Sequence, residues 1–513
     1  MIKSLLVVFS ALAIGGAPAL AQATFVNGLT LPGNALDLSN DLTSDRGRVG
    51  YFSDLYFDPN RNEWWALSDR GPGGGVLNYQ TRLQRFTLDV DPSSGAISNF
   101  VIQDTIKFQD GLGQPFNGLN PLLLNGNKSV LGNSFDPEGF VIHPSTGHFL
   151  VSDEYGPSLI EFDRDGKLIR RFETPAYLVP RTSSGTDYVA TRDENPIGGR
   201  QDNRGFEGLA ITPDGSKAYA VFQDPLFNDV GTRDGRNSRN VRIVEFDYAT
   251  GQSTGQYVYQ LELQSAVRAR IEADGGTATA TDPRQGRNIG LSAIVALGSD
   301  GDGHQRFLVL ERDNRGIGVD DPAGANVIGS KRVYEISLKD ATKLIGAAAE
   351  IQLGANSLPT GVLPVPKNES TPLIDLAADT VLPNGKRAEK WEGLTIGPVL
   401  DDLSYLILVG TDNDYSVTQS GSGQQFDVYV DFTGLSLQRD IGSPNLLNGV
   451  DQGPVPNGYE LIPGVLHAYK YNDNNYQAPV PGPLPVLGAA GVWGWSRQLR
   501  RRIRQTRTNE IQG

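Results

Sequence analysis

The sequence predicts an all-β fold, a β-propeller, from three observations: a hairpin pattern that repeats along the chain, abundant turn residues, and a further strand after each hairpin. The 513 residues include 61 glycines and 31 prolines without a collagen-like period, which is typical of many short strands and turns. Five blades are visible, and the ring is expected to hold five or six in total. A β-sandwich is the rival fold.

Each copy of the repeat has a small or acidic opening, an alternating apolar strand, a turn rich in Pro, Gly and Asp, a second apolar strand and an acidic close. A third strand is expected after each pair, and QFDVYVDF is the segment assigned to the fifth copy. The small or acidic residue that opens each copy is called its anchor. Successive anchors lie 69 to 100 residues apart, so loops must be inserted between strands. The anchors are Ser53, Glu138, Glu207, Ser292 and Glu392. The expected insertions are residues 103–133, 176–203, 262–287 and 345–388.

The acidic residues that open and close the repeats are expected to lie together at one end of the central channel, its mouth. In a propeller blade the first strand leaves one rim of the central channel and the second strand returns to that rim. Two like charges 4 Å apart repel by about 4 kcal/mol at an effective dielectric of 20, so protons, arginines or metal ions must neutralise such a mouth. An alternative is that each acid only caps a turn through bonds to the backbone.

Calcium is the metal that these residues favour, because carboxylate oxygens are hard ligands and the chain has only four histidines. The segment GSDGDGH from Gly298 also looks like a calcium loop, but it lacks the EF-hand spacing and equally fits a plain hairpin turn. The predicted metal ligands are Glu138, Glu154, Glu207, Asp224, Glu311, Glu392 and Asp412.

Arginines accompany the acids at Arg70, Arg204 and Arg312. Their forked guanidinium groups could bind phosphate or carboxylate oxygens of a substrate, or could serve as internal counter-ions of the same acids. The predicted substrate-binding residues are Arg70, Arg204 and Arg312. The predicted catalytic residues are Glu138, Glu207 and Glu392.

The two ends of the chain carry predicted sorting information. Residues 1–21 have a basic start, an apolar stretch and a small-residue cleavage site, which indicates a signal peptide and therefore export. The propeller domain is predicted at residues 24–478. Residues 479–513 form a Pro-Gly linker, a short apolar run and an arginine cluster, and they resemble PEP-CTERM sorting signals. The alternative is an interfacial helix; either way, the expected partners are export and sorting machinery, with transient membrane contact.

Composition excludes several function classes. The formal net charge of −14 argues against nucleic acid as a partner. The chain has no cysteine, so it has neither disulfides nor thiol catalysis. The Arg-His-Gly signature of histidine acid phosphatases is also absent, and a serine triad is not expected.

Several segments together resemble a known family. The EGF and EGL strand openings, HPSTGHFLVSDE, SDRG, NRGFEGLAITPDGSKAYA and KWEGLTIGP are similar to the phytase-like family described as having esterase-like activity of phytase. The resemblance covers most of residues 45–470. It implies an exported bacterial propeller that hydrolyses a small-molecule phosphate or carboxylate ester, with calcium. In the mechanism expected from it, the ion polarises an ester oxygen and a carboxylate activates water. A calcium-dependent lactonase-like propeller and a non-enzymatic propeller that binds a cell-surface ligand are the alternatives.

Overall fold

The computed structural model describes residues 23–41, 47–190, 196–230, 237–277, 289–420, 423–473 and 475–479. The predicted signal peptide and all but the first residue of the predicted C-terminal sorting segment lie outside these ranges. No helix in the described ranges is long and apolar enough to cross a membrane.

Five four-stranded antiparallel sheets make up the body of the fold. The first contains β2 (Asp54–Asp58), β3 (Glu63–Leu67), β4 (Arg82–Val90) and β5 (Ile97–Lys107). The second contains β6 (Pro137–Ile142), β7 (Phe149–Asp153), β8 (Ser158–Phe162) and β9 (Leu168–Arg171). The third contains β12 (Phe206–Ile211), β13 (Lys217–Phe222), β14 (Asn240–Asp247) and β15 (Gln252–Gln260). The fourth contains β16 (Ile289–Ser299), β17 (Gln305–Asp313), β18 (Lys331–Ser337) and β19 (Ile374–Asp375). The fifth contains β20 (Lys390–Val399), β21 (Tyr405–Asp412), β28 (Gly464–Tyr471) and β1 (Thr24–Leu31).

The remaining elements are insertions between these strands. A small hairpin pairs β10 (Arg181–Thr182) with β11 (Gly185–Thr186). One helix, α1 (Gln264–Ala273), follows β15. Short 3-10 turns lie at Pro121–Leu123, Gly346–Glu350, Pro383–Gly385 and Asp414–Ser416. A separate sheet between β21 and β28 contains β22 (Val417–Ser420), β23 (Gln424–Val430), β24 (Ser436–Asp440) and β27 (Glu460–Leu461), beside the hairpin of β25 (Leu446–Leu447) and β26 (Val450–Asp451).

The first strands of the five sheets contact one another in a closed cycle: β2 meets β6, β6 meets β12, β12 meets β16, β16 meets β20, and β20 returns to β2. The predicted propeller is therefore confirmed. The innermost strands β6 and β12 are buried along their whole length, as the ring requires.

The Glu-Gly pair that opens three of these strands has a packing reason. A Cβ added to Gly139 would lie 2.5 Å from the carbonyl oxygen of Glu207, and one added to Gly208 would lie 2.7 Å from the Cα of Ala293. Only glycine lets neighbouring inner strands approach so closely. The strand pairing also shifts at these positions, and such bulges turn side chains toward a rim.

The fifth sheet corrects one detail of the sequence prediction. The segment QFDVYVDF covers all of β23 but its first residue, and β23 lies in the inserted sheet and not in the ring. The third strand of the fifth sheet is β28, and its outer strand is β1 from the N-terminal end of the described chain. An alternating apolar pattern predicts a strand but does not say which sheet the strand joins.

Candidate metal and substrate site

A cavity of about 250 Å³ lies where the first strands begin and the second strands end. Eight of the ten predicted site residues line it, and the cavity carries eight carboxylates against four cationic side chains. The carboxylates are Asp69, Glu138, Glu154, Glu207, Asp320, Glu392, Asp412 and Asp414. The cations are Arg70, Arg204, Arg312 and Lys390.

Several of the cavity acids have partners within the protein. Glu392 accepts a hydrogen bond from Arg312, and Glu207 accepts one from the amide of Gln223. The Lys390 ammonium lies 3.3 Å from Asp412 Oδ2 and 2.6 Å from Oδ1 of its neighbour Asp414. These acids therefore already have neutralising or hydrogen-bonding groups.

Glu138 and Glu154 differ from the other predicted ligands. The carboxylate of Glu138 makes no hydrogen bond or ion pair within the described residues, although the residue is only 8% exposed. The Oε1 atom of Glu154 is buried and has no hydrogen-bond partner, in a residue that is 2% exposed. Burial, and then the neighbouring carboxylate of Glu207, raise the pKa of Glu138 well above its usual range. A buried acid in this position must hold either a proton or a cation.

Two further acids complete a group around Glu138. Carboxylate oxygens of Asp69, Asp136 and Glu138 all lie within 4.8 Å of one another. Arg70 holds Asp136 through its backbone N–H at 3.1 Å and its Nη1 at 2.8 Å. Burial raises the pKa of Asp69 to about 6, although Arg70 and Lys390 oppose the shift.

Asp69 and Asp136 were missing from the predicted ligand set. Asp69 follows the end of β3 in the motif SDRG, and Asp136 stands two residues before Glu138 in DPEGF. Both therefore had the strand-end signal on which the prediction was built. A second group, Asp69, Asp412 and Asp414, has the same spacing, but the ammonium of Lys390 already lies against two of its members.

The structure does not bring Asp224 or Glu311 to the cavity lining. Asp224 pairs with Arg204 Nε at 3.3 Å. Glu311 pairs with Lys367 Nζ at 2.9 Å and accepts a bond from the hydroxyl of Tyr259 at 2.9 Å. Successive side chains of a strand point to opposite faces, so β17 presents Arg312 to the cavity and Glu311 away from it.

The segment from Gly298 forms the hairpin turn between β16 and β17. Asp300 Oδ1 accepts bonds from the backbone N–H groups of Asp302 at 3.0 Å and His304 at 2.8 Å, and Lys339 pairs with Asp302. Ligand atoms of the three residues lie within 4.8 Å of one another. The bonds to the backbone show Asp300 capping the turn.

One segment matches the letters of a serine-hydrolase motif. Residues 251–255 read GQSTG, but they begin the outer strand β15 of an antiparallel hairpin, where Ser253 pairs with Phe246. A nucleophile elbow instead joins a strand to a helix. Ser253 therefore lacks the setting that such a nucleophile requires.

Comparison with known proteins gives a family and several distant likenesses. The family model "Phytase-like: Esterase-like activity of phytase" matches residues 47–415. An uncharacterised secreted protein of the fungus Arthroderma benhamiae is 29% identical over 474 residues, covering 77% of this chain and 86% of the relative.

Among solved structures, a GH43 β-1,3-galactosidase is 10% identical with a TM-score of 0.34, covering 77% of this chain and 97% of the other. Regucalcin from Agrobacterium tumefaciens, a calcium-binding protein, is 10% identical with a TM-score of 0.27, covering 76% of this chain and 85% of the other. The family match extends over most of the chain. The protein belongs to the phytase-like family described as having esterase-like activity of phytase.

Proposed function

We propose that this protein is an exported, calcium-dependent hydrolase of phosphate or carboxylate esters, with the acidic cavity as its active site. The observation that carries the proposal is the pair of buried acids, Glu138 and Glu154, that lack a protein partner in a cavity also lined by arginines. Membership of the phytase-like family supports an ester hydrolase.

The cavity fits a hard divalent cation. Its carboxylates outnumber its cations by four, and Glu154 Oε1 is a buried acceptor without a donor. Asp69, Asp136 and Glu138 would hold the ion, with Glu154 beside them, because calcium prefers several carboxylate oxygens. When bound, calcium would polarise an ester oxygen and offset negative charge.

The protein's own groups have distinct roles in this proposal. Glu138 has two carboxylate oxygens without a protein donor: one would hold the ion, and the other takes a proton from water. The oxygen of that water bonds to the phosphorus or carbonyl carbon of the ester, and the alcohol leaves. Glu207 is the second candidate base, but the amide of Gln223 already occupies one of its oxygens. Glu392 acts through Arg312, which it orients together with Ser292 Oγ, 3.0 Å from Arg312 Nε.

The protein is secreted or held at the cell surface. The fungal relative is described as a secreted protein, and residues 1–21 have the composition of a signal peptide. We further propose that residues 479–513 engage sorting machinery.

A non-enzymatic, ligand-binding propeller is the second candidate. The paired state of Glu392, Asp412 and Asp414 favours it, because side chains locked in ion pairs can serve stability alone.

The test is hydrolysis of 4-nitrophenyl phosphate and 4-nitrophenyl acetate by residues 22–479, with calcium and with chelator. Glu138→Gln is expected to lower kcat about 100-fold, which is the lower range for a lost general base. Glu207→Gln tests the second carboxylate. Glu350→Gln is the matched control, since Glu350 is exposed and away from the cavity lining, whereas Glu369 is tied to Arg239.

Wild type that hydrolyses neither ester under any condition would favour the binding propeller. Active wild type with unchanged Glu138→Gln and Glu207→Gln variants would place the chemistry elsewhere.

A further inference from the structure

A glycine loop forms part of the cavity wall. Residues 71–75 read GPGGG, and Gly73 and Gly74 line the cavity. The φ angles of Gly71, Gly73, Gly74 and Gly75 are +93°, +86°, +61° and +86°. A run of positive φ angles is open to glycine and strained for other residues, so this backbone conformation depends on the sequence GPGGG.

The loop presents donors without acceptors. The N–H of Gly71 donates to Asp69 Oδ1 at 3.0 Å, but the N–H groups of Gly73, Gly74 and Gly75 donate to no acceptor within the described residues. Gly73 and Gly75 are buried. Buried N–H groups without an acceptor are rare, and successive free N–H groups in a turn make anion sites.

Two arginines adjoin the loop. Arg70 directly precedes it, and its Nε atom is buried without a hydrogen-bond partner. Arg70 Nη1 donates to the side chain of Asn203, which brings the neighbouring Arg204 to the same wall. Arg204 keeps 30% of its side chain exposed, uses its Nε for Asp224 and donates from its Nη1 to the carbonyl of Asn203. Arg312, in contrast, has bonds from all three guanidinium nitrogens to protein groups.

We infer that Gly73 and Gly74, with Arg70 and Arg204, bind the oxygens of a phosphoryl group. This rests on the proposed function and names its substrate class as phosphate esters. A phosphoryl group offers several charged acceptor oxygens to the two amides and two guanidinium groups. The carbonyl of a carboxylate ester is a single neutral acceptor and would leave most of these donors unpaired.

The test measures binding of phenylphosphonate and benzoate by calorimetry with calcium present, because neither ligand is hydrolysed. Phenylphosphonate is expected to bind wild type at least about tenfold more tightly, a difference of about 1.4 kcal/mol. Gly74→Asp places a competing carboxylate in the loop and is expected to weaken phenylphosphonate at least about tenfold.

Two controls separate the loop from a general charge effect. Gly74→Asn matches the aspartate in size without its charge, and both residues tolerate a φ of +61°. A Cβ at Gly74 meets only Gln419 Nε2, at 4.0 Å. Thr418→Asp adds the same charge at another lining residue. Both controls are expected to stay within about threefold of wild type, well under the tenfold effect that 1.4 kcal/mol represents.

Equal affinity for the two ligands, an unaffected Gly74→Asp variant, or an equal loss in Thr418→Asp would overturn the phosphoryl site. Wild type that binds phenylphosphonate as expected but hydrolyses no ester would support the site and contradict the hydrolase.

Discussion

Arg312 and Glu392 form a buried ion pair that joins the fourth sheet to the fifth. Arg312 lies near the end of β17 and Glu392 near the start of β20, and both side chains are 6% exposed. Neighbouring blades are thus joined at the mouth by charge as well as by apolar contacts. Removing one partner leaves an uncompensated charge on a side chain that is almost fully buried.

Arg312→Met is therefore expected to lower the free energy of unfolding by about 3–5 kcal/mol. The double variant Arg312→Met, Glu392→Gln should recover part of this loss, because the orphaned charge is gone. Urea denaturation at pH 7 measures both. Arg85→Met is the control: Arg85 lies 3.7 Å from Asp104 in an exposed pair, so its loss should stay below about 1 kcal/mol. An equal loss of unfolding free energy in Arg312→Met and Arg85→Met would contradict a special role for the buried pair.

Calcium is expected to stabilise the folded protein through Glu138. Binding to the folded state alone adds about 2.7 kcal/mol when free calcium is a hundredfold above its dissociation constant. In chelator, Glu138→Gln should melt above wild type, because the buried carboxylate must take up a proton to become neutral, whereas the amide is neutral already. On return of calcium, wild type should gain more than the variant. Scanning calorimetry of wild type, Glu138→Gln and Glu350→Gln checks this, and melting temperatures insensitive to calcium would remove the ion from the site.

Stability without calcium should fall as the pH rises. Burial raises the pKa of Asp69 from 3.8 to about 6 and that of Glu389 from 4.5 to about 8. Below the pKa that each acid has in the unfolded chain, both states hold the proton and the stability is fully present. As the pH rises toward the higher pKa of the folded state, the unfolded chain releases the proton first, and stability is lost. The melting temperature in chelator is expected to be higher at pH 5 than at pH 8. A melting temperature that rises from pH 5 to pH 8 would contradict the raised pKa values.

The ring and the acidic mouth were largely predictable because they depend on local signals. Strand alternation, turn residues and the acids at strand ends all lie within a few residues of one another, and the blade geometry then brings Glu138, Glu207 and Glu392 together. The face that each side chain takes is a finer property. Arg312 and Glu311 are adjacent, yet only Arg312 lines the cavity.

The pairing of the acids was not predictable from the sequence. Lys390 opens the segment KWEGLTIGP, but nothing in that segment marks it as a counter-ion, and Gln223 carries no signal for its hydrogen bond. Their contacts with Asp412 and Glu207 depend on bulges and on the approach of neighbouring strands. The free amides of the glycine loop depend likewise on backbone angles that the letters GPGGG permit but do not specify.

The N-terminal strand β1 forms the outer edge of the fifth sheet, and this gives the last prediction. β1 pairs with β28 along its length, and Phe25 lies edge-on to His467 at 5.0 Å and to Tyr469 at 5.4 Å. A chain beginning at Gln22, close to the predicted signal-peptide cleavage, keeps this strand. A chain beginning at Pro32 exposes the edge of β28, which should lower the melting temperature and promote association between molecules.

The measurement compares the two chains by scanning calorimetry and by light scattering at two protein concentrations. The longer chain is the control, because it differs only by the residues before Pro32. Equal melting temperatures and equal scattering would mean that β1 is not needed to close the fifth sheet. A lower melting temperature with concentration-dependent scattering is the expected result, since an unpaired strand edge offers its backbone N–H and C=O groups to other molecules.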